Sequence, residues 1–361
     1  MPGERTWSEI RSQPQVLKAA ISEVESCLRD AERMFSAPPP REVVLTGCGS
    51  SYYLGLAAAS IFSKFLRLPA RAVPASEIIL YPETVFARNE STLVMGISRS
   101  GETSETVAAL KVAASFPGNR IMSISCSKDA EIAATTGFHL ALPDSDEESV
   151  VMTRSFTSML LALQTLAAEI SGDSRRSRSV RRIPDIVGQV IQKNAGVLEK
   201  LAADKSVTRF VILGSGPAYG IACEGALKMT EMALETAQPF YTLEFRHGPK
   251  SVVDKSTLVI SIPSDVLAEQ ETSLLEELRG FSGRIVTLGK ATSCAEVVLD
   301  VPVEGLDDWD RVVPMVVPLQ MLAYFKAMKK NLDPDTPKHL SQVVRIDIEV
   351  SGLSGGGPET S

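Results

Sequence analysis

Three hydroxyl side chains in the segment 96–106 are spaced so that they could surround one phosphate group. Ser98, Ser100 and Thr103 lie within six residues, and Gly101 among them would allow a close approach of the backbone. An apolar run precedes the segment and a helical pattern follows it. This order favours an anion site, because the first N–H groups of a helix lack partners and carry the positive end of its dipole. Taken alone, the segment is explained equally well by a capping box, which would only start a helix. It contains no nucleotide-binding motif.

A second set of residues could transfer protons. Glu224, Lys228, Glu231 and Glu235 share one face of a predicted helix. Such a face is most often a solvated stripe with weak ion pairs. Here the neighbouring residues are small and apolar, which predicts close packing with the charges directed into a cleft. A carboxylate held there would have a raised pKa and could act as a general base near neutral pH.

His247 is the best histidine candidate for catalysis. It stands in a loop between Arg246 and Gly248-Pro249, whereas His139 lies in an apolar strand pattern and is expected to be a packed residue.

The composition excludes several classes of protein. Hydrophobic residues make up 44% and charged residues 22% of the 361 residues, which indicates a globular chain. The net charge of −7 argues against nucleic-acid binding, and no apolar run is long enough to cross a membrane. The first residues show no signal peptide, so we expect a cytoplasmic location. Five scattered cysteines and three histidines support neither disulfides nor a metal site, and we expect no cofactor.

Strands alternate with helices along the chain, which predicts an α/β fold with mostly parallel sheets covered on both faces. The predicted strands are 41–45, 70–74, 91–97, 120–125, 138–142 and, in the second half, 209–213. The predicted helices include 7–35, 54–66, 102–115, 129–135, 156–170 and 185–203. The arginine-rich stretch 171–182 could contact an acidic partner, but a solvated linker is the preferred interpretation.

An internal repeat separates the two halves by function. The segment 44–52 keeps its apolar strand, two glycines and tyrosine in register with 211–219. Ser50 and Ser51 of the first copy are replaced by proline and alanine in the second. The second copy also lacks a counterpart of the 98–103 segment. The first half is therefore equipped for an anion, which favours the phosphate site over the simple cap.

These motifs together resemble the sugar isomerase (SIS) family. Within this family the chain resembles the isomerase half of glutamine–fructose-6-phosphate aminotransferase and the stand-alone amino-sugar-phosphate deaminases and isomerases. It runs from about residue 7 to residue 347. The motifs that carry it are CGSSY at 48–52, SRSGET at 98–103, TRSFT at 153–157, EGALK at 224–228 and RHGP at 246–249.

The resemblance implies two tandem SIS-type doubly wound domains, each with a mostly parallel sheet flanked by helices. The expected division is an N-terminal helical segment 1–40, a phosphate-binding domain 41–171, a linker 172–184, a second domain 185–345 with the acid/base residues, and a disordered tail 346–361.

The resemblance also implies roles for single residues. Ser51, Ser98, Ser100 and Thr103 match the hydroxyls that bind the sugar phosphate, and Arg99 matches a backbone contact. Ser50 and Thr153 stand in the same motifs and are further candidates for substrate binding.

The reacting end of the substrate is implied to meet a different set of residues. Glu231 matches the residue that moves a proton between C1 and C2, with Lys228 beside it. His247 matches the ring-opening histidine, which the family takes from the neighbouring subunit of a homodimer.

We therefore expect an aldose–ketose isomerase or amino-sugar-6-phosphate deaminase that uses an enediol or enolamine intermediate of a hexose 6-phosphate. The sequence contains no glutaminase segment with an N-terminal cysteine, so we do not expect synthase activity. Gln342 stands where the synthase has an imine-forming lysine. A non-catalytic sugar-phosphate-binding regulator and a fructosamine-phosphate deglycase are the alternatives.

Overall fold

The first half of the chain forms a parallel five-stranded sheet. The computed structural model describes residues 2–36, 38–86 and 91–348. The strands of the first sheet are β1 (Glu42–Gly47), β2 (Ala70–Pro74), β3 (Thr92–Ile97), β4 (Arg120–Ser125) and β5 (Phe138–Ala141). Their order is β2-β1-β3-β4-β5, and every neighbouring pair is parallel.

The second half forms another parallel sheet with a corresponding order. Its strands are β6 (Arg209–Gly214), β7 (Thr236–Phe240), β8 (Thr257–Ile262), β9 (Arg284–Leu288) and β10 (Val297–Leu299). Their order is β10-β9-β8-β6-β7, which read from the other edge matches the first sheet strand for strand. The α/β prediction and the predicted strands of the first half are confirmed.

Ten α-helices flank the sheets within the described residues. They are α1 (Glu4–Phe35), α2 (Ser50–Leu66), α3 (Ala75–Leu80), α4 (Pro82–Val85), α5 (Ser104–Ala114), α6 (Arg154–Ser171), α7 (Ser174–Ala203), α8 (Pro217–Ala233), α9 (Ala268–Gly280) and α10 (Val312–Lys329). Within these ranges no helix is both long and apolar enough to cross a membrane.

Both faces of each sheet are covered, which explains why the strands are almost continuously apolar. In β1, Val43 and Leu45 belong to the large core that both halves share, while Val44 faces a separate apolar cluster on the other side. In β6, Ile212 belongs to the shared core, and Val211 faces a third cluster. The shared core also contains buried residues of α1, α2, α6, α8 and α10.

The two halves meet where α2 packs against α8. A Cβ atom at Gly220 of α8 would lie 2.6 Å from the Tyr53 carbonyl oxygen and 2.7 Å from the Ala57 amide nitrogen. Only glycine fits this contact between the two helix backbones. The predicted close packing of the small-residue helix is therefore present.

The stretch 172–184 is not a linker. The helix expected at 185–203 begins at Ser174, and the Asp173 carboxylate caps it by accepting the N–H groups of Arg175 and Arg176. Arg176 is buried, with its guanidinium carbon 4.4 Å from the Phe65 ring centroid. The arginines concealed the helical period, because Arg176 occupies a position on the buried face that an apolar residue normally fills.

Two smaller expectations also need adjustment. The predicted helix at 129–135 is a 3-10 turn, Glu131–Thr135. Helix α8 ends at Ala233, so Glu235 leaves the charged face and pairs instead with Lys330 at 3.0 Å. Of the tail expected to be disordered, 346–361, residues 349–361 lie outside the described residues.

Candidate active site

A pocket of about 220 Å³ lies at the carboxyl ends of β1 and β3. Strand β2 lies on one side of β1 and β3 lies on the other, so the strand order reverses its direction here. Open α/β sheets bind ligands at such a switch point. The pocket is lined by Cys48, Gly49, Ser50, Ser51, Arg99, Ser100, Thr103, Val150, Met152, Lys228, Glu231, Leu340, Ser341, Gln342 and Val344. It thus contains residues of both halves and of the C-terminal segment.

The loop after β3 is folded by its own hydroxyl groups. Ser98 Oγ accepts the N–H of Gly101 at 3.1 Å and lies 3.1 Å from Thr103 Oγ1. Ser100 Oγ accepts the N–H of Glu102 at 3.1 Å. Ser100 and Thr103 line the pocket, whereas Ser98 is buried and supports the loop from behind.

Two helices begin at this pocket. Gly49, with φ of 53°, precedes α2 and offers no capping side chain, and Thr103 precedes α5 without a side-chain cap bond. Ser50 and Ser51 occupy the first turn of α2 and line the pocket. The positive ends of two helix dipoles and several hydroxyls therefore converge on one pocket, an arrangement suited to a phosphate group.

A buried lysine between two carboxylates forms the opposite wall. Lys228 Nζ lies 2.5 Å from Glu231 Oε2 and 3.3 Å from Glu224 Oε1, and it donates to Ser50 Oγ at 3.2 Å. Lys228 and Glu224 are fully buried, while the Glu231 side chain is 18% exposed. Of the two acids, only Glu231 lines the pocket.

Burial perturbs the titration of this group. It raises the pKa of Glu224 from 4.5 to about 8, although Lys228 pulls that pKa down. One oxygen of Glu224 accepts from Ser50 at 3.1 Å, and the other is buried without a hydrogen-bond partner. Burial alone would lower the pKa of Lys228, but the carboxylates of Glu224 and Glu231 outweigh it and raise that pKa. Lys228 is therefore charged at neutral pH.

Arg99 lies along the rim of the pocket, whereas Thr153 lies outside it. The Arg99 guanidinium donates to the carbonyls of Val150 at 2.9 Å and Gln342 at 2.8 Å. Its hydrogen bonds therefore go to protein carbonyl groups. Thr153 is fully buried, does not line the pocket, and donates its N–H to Glu147 Oε1 at 2.6 Å.

The C-terminal segment covers one side of the pocket. The Gln342 amide donates to the Glu147 carbonyl at 2.8 Å, so this side chain is held on the protein. Lys228 is the only lysine of the described residues that lines the pocket.

His247 is not brought to the pocket of its own chain. It is exposed and follows the 3-10 turn Glu244–Arg246 beyond the end of β7. Its predicted role therefore requires a second copy of the chain. His139 is fixed between Ser123 and Ser125, as expected of a packed residue.

A larger concavity, about 1010 Å³, lies at the other end of α2. It contains Ser63–Leu66, Arg67 and Arg176, and none of the predicted catalytic or phosphate-binding residues. It has no acid/base pair comparable to Lys228 and Glu231, so the smaller pocket is the candidate active site. Among the described residues no cluster of histidine, cysteine or carboxylate groups could hold a metal ion.

Two residues that support the site have no specific role in the sequence analysis. Glu224 belongs there only to a charged helix face, on which it is spaced four residues from Lys228. Glu147 lies in an acidic run before the 153–157 motif, and no local pattern indicates that it is buried.

Comparison with known proteins identifies the family. The SIS domain profile matches residues 39–169. Over 90% of its length the chain is 31% identical to the crystal structure of glucosamine-6-phosphate deaminase from Thermotoga maritima, covering 99% of that chain with a TM-score of 0.74. Tagatose-6-phosphate ketose/aldose isomerase from Escherichia coli has the same fold at 24% identity, with a TM-score of 0.85 over 93% of this chain and 98% of that one.

Longer enzymes are also related. The glutamine–fructose-6-phosphate aminotransferase of Pyrobaculum aerophilum is 30% identical over 94% of the chain, which spans 57% of that enzyme. The chain covers little more than half the length of such curated relatives. The chain belongs to the SIS family.

Proposed function

We propose that the protein is an aldose–ketose isomerase or amino-sugar-6-phosphate deaminase that acts on a hexose 6-phosphate. The observation that carries the proposal is the 2.5 Å contact of Lys228 with Glu231 in the same pocket as Ser51, Ser100 and Thr103. A phosphate held by the helix N-termini would place the far end of the sugar beside an acid/base pair. Binding energy at the unreactive phosphate would then position the reacting carbons.

Glu231 is the proposed base that moves the proton between C1 and C2. It is partly exposed to the pocket, whereas Glu224 is enclosed behind Lys228. Lys228 would stabilise the negative charge that develops on oxygen in the enediol or enolamine. With an amino group on C2, the same proton transfer gives an imine at C2, and water then adds to it and releases ammonia. The 31% identical deaminase supports this second outcome.

His247 is proposed to open the sugar ring across the interface of a homodimer. Its exposed position outside its own pocket supports a contribution to the site of a second copy. The matching strand orders of the sheets support two tandem SIS-type domains, of which the first binds phosphate and the second supplies the acid and base.

The direct test is exchange of solvent deuterium at the carbon that carries the transferred proton, which is C2 of an aldose or amino-sugar 6-phosphate and C1 of a keto-sugar 6-phosphate. A panel of keto-sugar and amino-sugar 6-phosphates is incubated in D₂O, and isomerisation, exchange and ammonia release are measured in parallel. Glu231→Gln should reduce exchange by about 10²- to 10⁴-fold, the usual contribution of a general base. Glu235→Gln is the matched control, since Glu235 pairs with Lys330 outside α8.

Each outcome of these measurements supports a different function or residue assignment. Exchange that persists in Glu231→Gln would refute the assignment of the base. Binding of sugar phosphates without exchange by the unaltered protein would replace the enzyme with a binding regulator. Ammonia release assigns a deaminase, and isomerisation alone assigns an isomerase.

A further inference from the structure

A single buried carboxylate, Glu147, holds the start of α6. Its side chain has no exposed surface. One oxygen accepts the Thr153 N–H at 2.6 Å and the Thr153 hydroxyl at 2.7 Å, and the other accepts the Ser155 hydroxyl. These bonds fix the residues that follow Val150 and Met152, which form one wall of the pocket.

Glu147 is also the counter-charge of Arg99. Arg99 is only 6% exposed, and its Nη1 lies 3.9 Å from Glu147 Oε2. No other carboxylate of the described residues forms an ion pair with this guanidinium. Because a buried charge is costly without a partner, the position of Arg99 depends on Glu147. Arg99 belongs to the loop that forms the second wall.

The main chain of Glu147 reaches the third wall. Its carbonyl accepts the Gln342 amide at 2.8 Å, while Arg99 donates to the Gln342 carbonyl at 2.8 Å. Gln342 is thus held twice, once by Glu147 and once by the arginine that Glu147 neutralises. Leu340, Ser341 and Gln342 line the pocket at this point.

We infer that Glu147 is a positioning residue that sets the separation between the 98–103 loop and the C-terminal segment 340–344 across the pocket. This inference rests on the proposed function only in taking the pocket as the substrate site. Glu147 does not line the pocket, so it acts on a ligand through Arg99 and Gln342.

The substitution Glu147→Gln removes the negative charge of this side chain and nearly preserves its shape. The amide keeps an oxygen for Thr153 but leaves Arg99 without its counter-charge. Glu271→Gln is the matched control, because Glu271 is equally buried, 3% exposed, and accepts the Ser264 N–H at 2.8 Å in the second half. Both carboxyls also share a pKa raised by burial.

Limited trypsin digestion reports directly whether the C-terminal segment 340–344 is released from the protein. Lys338 and Arg345, which flank the held residues, are both exposed. In Glu147→Gln we expect about tenfold faster cleavage at these sites, because cleavage follows the population of the released segment. Glu271→Gln should cleave at the original rate, and Glu147→Asp should lie between.

A second measurement separates positioning from general stability. Calorimetry with inorganic phosphate should show affinity about tenfold lower in Glu147→Gln than in Glu271→Gln, because the folded molecules of the first have a displaced loop. Equal cleavage rates and equal affinities in the two variants would overturn the inference.

Gln342→Ala covers the case in which Glu147→Gln does not fold. It removes one bond to Glu147 at an exposed position and should also speed cleavage at Lys338. An unchanged rate there would likewise count against the inference. Absence of turnover with every sugar would refute the proposed function alone, since the cleavage assay needs no substrate.

Discussion

Replacing Glu224 by glutamine should change how the stability of the protein depends on pH. Glu224 is fully buried, and one of its oxygens has no hydrogen-bond partner. Glutamine preserves the shape and the acceptor for Ser50 but removes the ionisation. The substitution therefore removes the titration of Glu224 and leaves the neighbouring Lys228 and Glu231 in place.

The magnitude follows from the pKa of Glu224, which burial raises from 4.5 to about 8 in the folded chain. Between these two values the folded state binds a proton that the unfolded state has released, so the free energy of unfolding falls as the pH rises. The stabilising effect is complete below pH 4.5 and lost above pH 8. At about 1.4 kcal/mol per pH unit, the full loss is about 5 kcal/mol.

Glu224→Gln should abolish this loss. Urea unfolding of the two proteins is compared at intervals between pH 4.5 and pH 9, and the difference in unfolding free energy is plotted. Taking the difference cancels the titrating groups that do not interact with Glu224. The unfolding free energy of the variant, relative to that of the unaltered protein, should rise by up to about 1.4 kcal/mol per pH unit. This difference should become constant above pH 8. A difference that is constant over the whole range would refute the assignment of a raised pKa to Glu224.

Two further substitutions test the phosphate end of the pocket. Gly101→Ala should destabilise the protein by more than about 2 kcal/mol and abolish phosphate binding, because the added Cβ would lie 2.2 Å from Ala130 Cβ at φ of 71°. Gly172→Ala, at φ of 67° with open space around it, should cost only about 1 kcal/mol in thermal unfolding and leave phosphate binding unchanged. Ser51→Ala should weaken phosphate binding in calorimetry about tenfold by removing one hydrogen bond to a charged group, while Ser158→Ala, whose hydroxyl is buried without a partner, should not. Equal affinities in the last two would remove Ser51 from the site.

The sequence predicts the parts of this protein that depend on local pattern. The strands of the first sheet are apolar runs bounded by turn residues, and the turn after β3 contains the hydroxyls and the glycine that its geometry requires. These features depend on neighbours within a few residues, so composition and period suffice to find them.

The parts that sequence does not predict depend on distant partners. Arg176 is buried because Phe65 and the carboxylates of Asp307 and Asp310 surround it, and none of these is near it in the chain. Glu147 is likewise recognisable only once Arg99 and Gln342 are brought to it. An acidic or basic run is the same pattern in both a solvated and a buried setting, so local sequence does not separate them.

The site joins the two halves because Gly220 has no side chain. Helices α2 and α8 begin at equivalent points of the repeat, and each follows the first strand of its sheet. Close approach of the two backbones at Gly220 brings Ser50 of the first half within 3.1 Å of Glu224 and 3.2 Å of Lys228. The hydroxyls that the second copy lacks are thus supplied by the first, and the charged residues of α8 lie beside them. A larger residue at 220 would separate the phosphate end of the pocket from its acid/base end, so the packing of the repeat and the proposed chemistry depend on the same contact.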